Sequence, residues 1–292
     1  MTDVTLRTAD GLDLAGLALR PAGEPSAAIA MIHGFGEHAR RYGGLHELFV
    51  ASGWAVGAAD LRGFGRSPGP RGHIDRWADY RADTAAIAAH AASLAPGRPV
   101  YLFGHSMGGL IVLDHALARP EGLAGVIASG PALLPAGQRR ALREIAALLL
   151  SRIVPRASTD LGLDPAGLSS DPAQVQAYLD DPLVHGRATM RWGAEILRTM
   201  VATRERAPAF AVPLLLLHGT DDPINSPEGS REFYNGCGHA DRTLKLYPGS
   251  RHEAHHDVGR KQFERDLLRW LRERSMRASN VASAAAPRGG VR

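Results

Sequence analysis

Gly104-His105-Ser106-Met107-Gly108-Gly109 is the stretch whose reading decides the fold. It follows the apolar run Val100-Tyr101-Leu102-Phe103 and opens an apolar-periodic stretch from Leu110 to Leu117, an order of strand, tight turn and helix. In that setting Gly-X-Ser-X-Gly reads as a nucleophile elbow with Ser106 at its tip. The requirement is steric: a serine on so sharp a turn crowds its neighbours, so positions 104 and 108 must lack a Cβ. A helix beginning at Met107 aims free N–H groups and the positive end of its dipole at the space beside the hydroxyl, where an oxyanion would be stabilised. A glycine-rich turn with a capping serine would look the same in isolation, so the rest of the chain must supply partners.

Outward from the elbow, the chain alternates strands and helices. Val4–Thr8 and Leu12–Leu19 read as a hairpin turning at Gly11. Ala27–Ile32 is a continuous apolar run of the kind buried on both faces, ending at His33-Gly34-Phe35-Gly36-Glu37-His38. Leu45–Ser52 is a short helix, Trp54–Ala59 a strand, Trp77–Leu94 a helix and Leu123–Ala128 a strand. This is the signature of a parallel sheet covered on both faces. The rhythm breaks between Ala132 and Phe210, where helical patterns and prolines occur but no convincing strand. It resumes with Pro213–Gly219, a helix Pro227–Tyr234, a strand Thr243–Tyr247 and a last helix Val258–Arg274. The expected division is therefore 1–131 and 211–274 as one α/β body, 132–210 as an inserted helical cap, and 275–292 as a disordered tail.

Composition narrows the class. At 292 residues, 45% hydrophobic and 22% charged, the chain can bury a sizeable core. The net charge of +4 owes much to arginines near the end, and no basic stripe interleaved with aromatics suggests nucleic acid. Cys237 is the one cysteine, so no internal disulfide forms, as a reducing cytoplasm allows. The first residues lack the pattern of a secretory signal, and no run reaches the ~18 apolar residues of a membrane span. Leu142, Ile145, Leu149 and Ile153 share a helical face widened by Leu148 and Leu150. That face is expected to pack on the body, with contact to a membrane or micelle surface as its alternative.

A serine hydroxyl needs a base, and the base needs an orienting carboxylate. Asp221 and Asp222 follow the Leu214–Leu217 strand, and His252 follows the Leu244–Tyr247 strand. The order Ser, Asp, His after strand ends is that of an α/β-hydrolase. The oxyanion donors expected are the N–H groups of Met107 and Phe35, while His33 reads as a packed loop residue. No metal or organic cofactor is required.

The chain resembles the monoacylglycerol lipase and lysophospholipase family of serine hydrolases. His33–Tyr42 is similar to that family's HGxGEHxxRY stretch, Asp60–Ser67 to its DxRGxGxS loop, and Gly104–Gly109 to its GHSMGG elbow. Asp181-Pro182-Leu183 resembles the DPL of its cap, and Tyr247–Glu253 the YPGxxHE around its histidine. The resemblance implies an α/β-hydrolase fold with a helical lid and hydrolysis of monoacylglycerols to fatty acid and glycerol through an acyl-enzyme. It implies a triad of Ser106, Asp222 and His252, and brings Glu37, Arg41, His105 and Tyr178 to the glycerol end of the substrate. Lysophospholipases and broad carboxylesterases share these motifs. A non-catalytic receptor on the same fold is the more distant alternative.

Overall fold

The computed structural model describes residues 1–137, 148 and 150–285. Its strands are β1 (Thr2–Arg7), β2 (Asp13–Leu19), β3 (Ala27–Ile32), β4 (Trp54–Ala59), β5 (Val100–His105), β6 (Leu123–Ser129), β7 (Ser158–Asp160), β8 (Arg187–Thr189), β9 (Leu214–Gly219) and β10 (Arg242–Tyr247). The helices are α1 (Gly43–Ala51), α2 (Trp77–Leu94), α3 (Met107–Ala118), α4 (Pro172–Leu179), α5 (Met190–Glu205), α6 (Pro227–Gly236) and α7 (Arg260–Ala285).

Eight strands form one sheet in the order β1-β2-β4-β3-β5-β6-β9-β10. The hairpin β1–β2 and the β2–β4 pair are antiparallel, and every other pairing is parallel. Residues of β3, β4 and β9 are buried throughout, as continuous apolar runs in a doubly covered sheet require. Alternate side chains serve opposite faces. Ala28, Ala30 and Ile32 pack with Tyr80 and Ile87 of α2 and Leu110 of α3. Ile29 and Met31 pack with Phe49 of α1 and Phe263 and Leu267 of α7. Each such large side chain stabilises the fold by about 1.5–3 kcal/mol on burial.

The sheet order locates the site. From β3 the chain crosses to β4 on one side, whereas β5, β6, β9 and β10 build outward on the other. The crevice at the carboxyl ends of β3 and β5 is thus a switch point, where loops diverge and a ligand can enter. The loops His33–His38 and Ser106 both open into it.

Two expectations need correction. The 132–210 stretch holds two strands, β7 and β8, paired antiparallel from Ser158↔Thr189 to Asp160↔Arg187. Three residues are too few to display alternation, so no sequence signal marks them. The last helix extends to Ala285 instead of stopping at Arg274; Ser275–Ala285 contains several alanines and no proline, so nothing local terminates it. Residues 286–292 of the expected tail lie outside those described.

The 132–210 stretch is tied to the body by directed bonds. His38 Nε2 lies 2.7 Å from Asp181 Oδ2, and the His185 and Thr189 amides donate to Gly36 and Gly72 carbonyls at 2.9 and 3.0 Å. Leu142, Ile145 and Leu149 of the expected apolar face lie outside the described residues, but Ile153 is 77% exposed and does not pack on the body. Among the described residues no helix is long and apolar enough to cross a membrane.

Candidate active site

Ser106 is the one non-glycine residue with positive φ among those described, at φ 55° and ψ −117°. Such a conformation costs about 1–3 kcal/mol and persists only where the surroundings enforce it. They do so here. A Cβ at position 104 would meet the Gly108 carbonyl oxygen at 2.2 Å, and one at 108 would meet the Ile32 oxygen at 2.3 Å. The turn is therefore pressed against the end of β3, as the glycine spacing predicts.

Asp222 and His252 come together from the ends of β9 and β10. His252 Nδ1 donates to Asp222 Oδ2 at 2.7 Å, and the Ile224 and Asn225 amides donate to Oδ1 at 2.8 and 2.9 Å. Burial acts to raise the Asp222 pKa, but the charge of His252 and hydrogen bonds from His218 and His252 hold it below the ordinary carboxylate range. For His252, burial acts to lower the pKa; Asp222 outweighs it and raises the imidazole above its usual value. Asp221 is exposed, and its carboxylate accepts from Thr220 Oγ1 at 2.7 Å. Asp222 thus faces the imidazole and its neighbour does not.

The β3 loop lies against the elbow: a Cβ on Gly34 would sit 3.3 Å from the Ser106 Cβ. Phe35, Ser106 and Met107, the serine and the residues whose N–H groups are the expected oxyanion donors, line one cavity together. His33 is a packed loop residue, as expected. Its Nε2 accepts from the Leu61 amide at 2.8 Å, leaving Nδ1 to donate to the Gly34 carbonyl at 2.7 Å. The Asp60 carboxylate ties the two loops by accepting from the Ala39 and Arg66 amides at 2.9 and 2.8 Å.

Two cavities meet at Ser106, and they differ in the charged side chains they carry. The smaller, 30 Å³ and polar by virtue of its charged groups, is bordered by Glu37, Arg41, His105, Tyr178, His252 and Glu253 and also by the apolar Phe35, Leu163, Leu168 and Ile224. Arg41 Nη1 bridges Glu37 Oε2 at 2.6 Å and Glu253 Oε1 at 3.0 Å. Glu37 Oε1 also accepts from the Tyr42 hydroxyl and the Gly34 amide, at 2.5 and 2.7 Å. Burial would raise both carboxyl groups, yet the Arg41 charge draws Glu37 below its ordinary value, and a hydrogen bond from His256, followed by the charge of Arg41, does the same for Glu253. Burial pushes His105 down to about 4 and Tyr178 up to about 12, so the first is neutral and the second keeps its proton. The Tyr178 ring centroid lies 4.7 Å from the Arg41 guanidinium carbon. The apolar cavity, 310 Å³, is walled by Met107, Leu161, Trp192, Ile196, Leu197 and Met200. Phe35 packs on Trp192 at its mouth, ring centroids 4.3 Å apart.

Comparison with known proteins gives the family. The family model "Serine aminopeptidase, S33" matches residues 23–259. A monoacylglycerol lipase of Mycolicibacterium smegmatis is 32% identical over 252 residues, 86% of this chain and 90% of that protein. The chain belongs to the monoglyceride lipase family of α/β-hydrolases. The crystal structure of Paleococcus ferrophilus monoacylglycerol lipase matches with a TM-score of 0.82 and 36% identity, covering 89% of this chain and 99% of that one. An abhydrolase domain-containing protein of Dictyostelium discoideum is 33% identical over 282 residues, 96% of this chain but 30% of its own length.

Within this hydrolase the sequence reading missed three residues. His218 Nε2 is shared between Asp222 Oδ2 and the Asn225 carbonyl, both at 3.1 Å. Asn225 Nδ2 lies 3.5 Å from Ser106 Oγ. Glu253 completes the Arg41 network. His218 ends a strand and Glu253 follows His252, so proximity to the motifs was a usable signal for both; Asn225 carried none. Among the described residues Glu253, His255 and His256 could together hold a metal ion, their ligand atoms lying within 4.8 Å of one another. The Arg41 guanidinium already occupies Glu253, and its charge opposes a cation there.

Proposed function

We propose that this hydrolase cleaves monoacylglycerols with Ser106 as nucleophile, His252 as base and Asp222 as its orienting acid. His252 Nε2 takes the Ser106 proton as Oγ attacks the ester carbonyl. The Phe35 and Met107 N–H groups stabilise the tetrahedral oxyanion. The imidazolium then protonates the departing glycerol oxygen, and a water activated by His252 releases the fatty acid from the acyl-enzyme. The names of the Mycolicibacterium and Paleococcus relatives support this reading. So does the buried Asp222–His252 bond of 2.7 Å.

The observation that carries the substrate class is the meeting of a small charged cavity and a larger apolar one at a single serine. The apolar side suits an acyl chain. On the polar side, hydrogen bonds occupy three of the roughly four acceptor positions on each of Glu37 and Glu253, leaving about one apiece for a donating hydroxyl. A neutral polyol fits that chemistry. A phosphate headgroup would face two carboxylates against one guanidinium, a repulsion of about 3 kcal/mol at ~6 Å and an effective dielectric near 20. This favours monoacylglycerol over lysophospholipid. We further propose that 132–210 acts as the cap. Exposed Leu150, Ile153 and Val154 support contact with a lipid surface. A cytoplasmic location accords with the free thiol of Cys237.

The test is a panel of one acyl chain on glycerol, on the anionic lysophosphatidylglycerol and on p-nitrophenol, with a fluorophosphonate probe alongside. Monoacylglycerol should exceed lysophospholipid by about a hundredfold in kcat/KM, and Ser106→Ala should abolish both hydrolysis and labelling. Equal rates on the two lipids would overturn the substrate class. An unlabelled parent protein would favour a receptor role.

A further inference from the structure

We infer that Asn225 is a further catalytic residue, which directs the Ser106 hydroxyl and stabilises charge on its oxygen. The inference rests on the reading of Ser106 as nucleophile. Asn225 is buried, 4% exposed. Its amide orientation follows from its neighbour: the Gly130 carbonyl, 2.9 Å away, can only accept, so the atom facing it is Nδ2. The second Nδ2 hydrogen is then available to Ser106 Oγ at 3.5 Å. That separation is long, as such contacts are before substrate binds and tightens the site.

The backbone of the same residue holds the acid. Its amide donates to Asp222 Oδ1 at 2.9 Å, and its carbonyl accepts from His218 Nε2 at 3.1 Å. His218 in turn reaches Asp222 Oδ2 through that nitrogen, while its Nδ1 accepts from the Ser230 hydroxyl at 2.8 Å. One residue thereby connects the carboxylate of the base to the oxygen of the nucleophile.

The chemical consequence follows from proton counting. A hydroxyl has one hydrogen to give and two lone pairs to receive. With Asn225 donating to one lone pair, the other remains to attack the ester carbon, and the hydroxyl hydrogen is the one the proposed base, His252 Nε2, takes. As the proton leaves, Oγ becomes more negative and the Asn225 bond becomes charge-assisted, roughly doubling in strength. An interaction stronger in the transition state than in the ground state accelerates the step. In deacylation Oγ is the leaving atom and the same donor stabilises it.

The competing account is that Asn225 merely walls the apolar cavity, which it also borders. A small fluorophosphonate separates the two, since it reports Ser106 reactivity without an acyl chain to bind. The parent, Asn225→Ala and Asn225→Asp are compared in labelling rate, in kcat and KM on a monoacylglycerol, and in thermal melting to identify folded variants. The alanine variant should label about tenfold more slowly, the worth of one hydrogen bond, with kcat reduced and KM within twofold. The aspartate variant, near the parent in shape but presenting a negative charge to Oγ, should be slower still. Whichever folded variant is read, labelling within twofold of the parent, or a loss confined to KM, overturns the inference. An unlabelled parent would instead remove the nucleophile assignment, and the inference with it.

Discussion

The two cavities beside Ser106 are built by different means. The polar one is closed by loops of the body and by Leu163, Leu168 and Tyr178, and its charged side chains are bound to one another: Glu37, Arg41 and Glu253 form a buried ion network with Tyr42 and His256 attached. The apolar one is walled largely by residues 132–210 and held by ring and aliphatic contacts. Directed bonds between buried charges leave few alternative arrangements, because an unpaired partner costs several kcal/mol. Apolar contacts are non-directional and repack at small cost. The proposed headgroup end should therefore be rigid and selective, and the proposed acyl end adaptable.

The largest expected effect falls on the centre both cavities border. Asp222→Asn should reduce kcat by about 10⁴-fold on any ester, because an amide favours the wrong imidazole tautomer. Asp221→Asn should change it by less than twofold, since that side chain faces solvent. Comparable losses in the two variants would assign the acid wrongly.

On the rigid side, Arg41→Ala leaves Glu37 and Glu253 buried without their cation. We expect a loss of about 3–5 kcal/mol of stability, read as a drop of about 10 °C in melting temperature. A drop of less than ~3 °C would mean the network is not what holds that wall.

The pH profile probes the centre again. The His252 pKa is raised above the ordinary His range, and its neutral form is the proposed base. Activity should therefore be lost as pH falls through a midpoint above ~6.5, by about tenfold per unit below it. A midpoint at or under 6.5, from kcat/KM at subsaturating substrate, would show that Asp222 does not dominate the imidazole.

Tyr178→Phe tests selectivity at the headgroup. Tyr178 borders the polar cavity and keeps its proton, so if its hydroxyl binds the headgroup its removal should weaken monoacylglycerol hydrolysis by about tenfold and spare p-nitrophenyl esters. Parallel losses on both substrates would take Tyr178 out of the headgroup site. The smallest effect belongs to the adaptable side. Met200→Ala enlarges the apolar cavity and should favour longer acyl chains, by about fourfold for each methylene it admits. An unchanged chain-length profile would place the acyl group elsewhere.

Much of this molecule was legible along the chain. Glycine sterics at 104 and 108, apolar runs ending at His33, Asp60 and Ser106, and the order of Ser106, Asp222 and His252 are each properties of a few neighbouring residues. Backbone and side-chain physics act at that range, so short stretches suffice to read them. The sheet and the position of the elbow at its switch point follow. The resemblance to a known family chose Asp222 over Asp221, and Asp222 is the one hydrogen-bonded to His252.

What only the tertiary structure decided lies at long range. Arg41 and Glu253 are 212 positions apart, and neither residue type announces its partner. Asn225 looks like any turn asparagine until Gly130 and Ser106 are brought beside it. The three-residue strands β7 and β8 form because the chain returns on itself, their sequences being too short to favour a strand alone. In each case a polar or marginal segment draws its stability from a partner supplied by folding, and the local sequence carries no record of that partner.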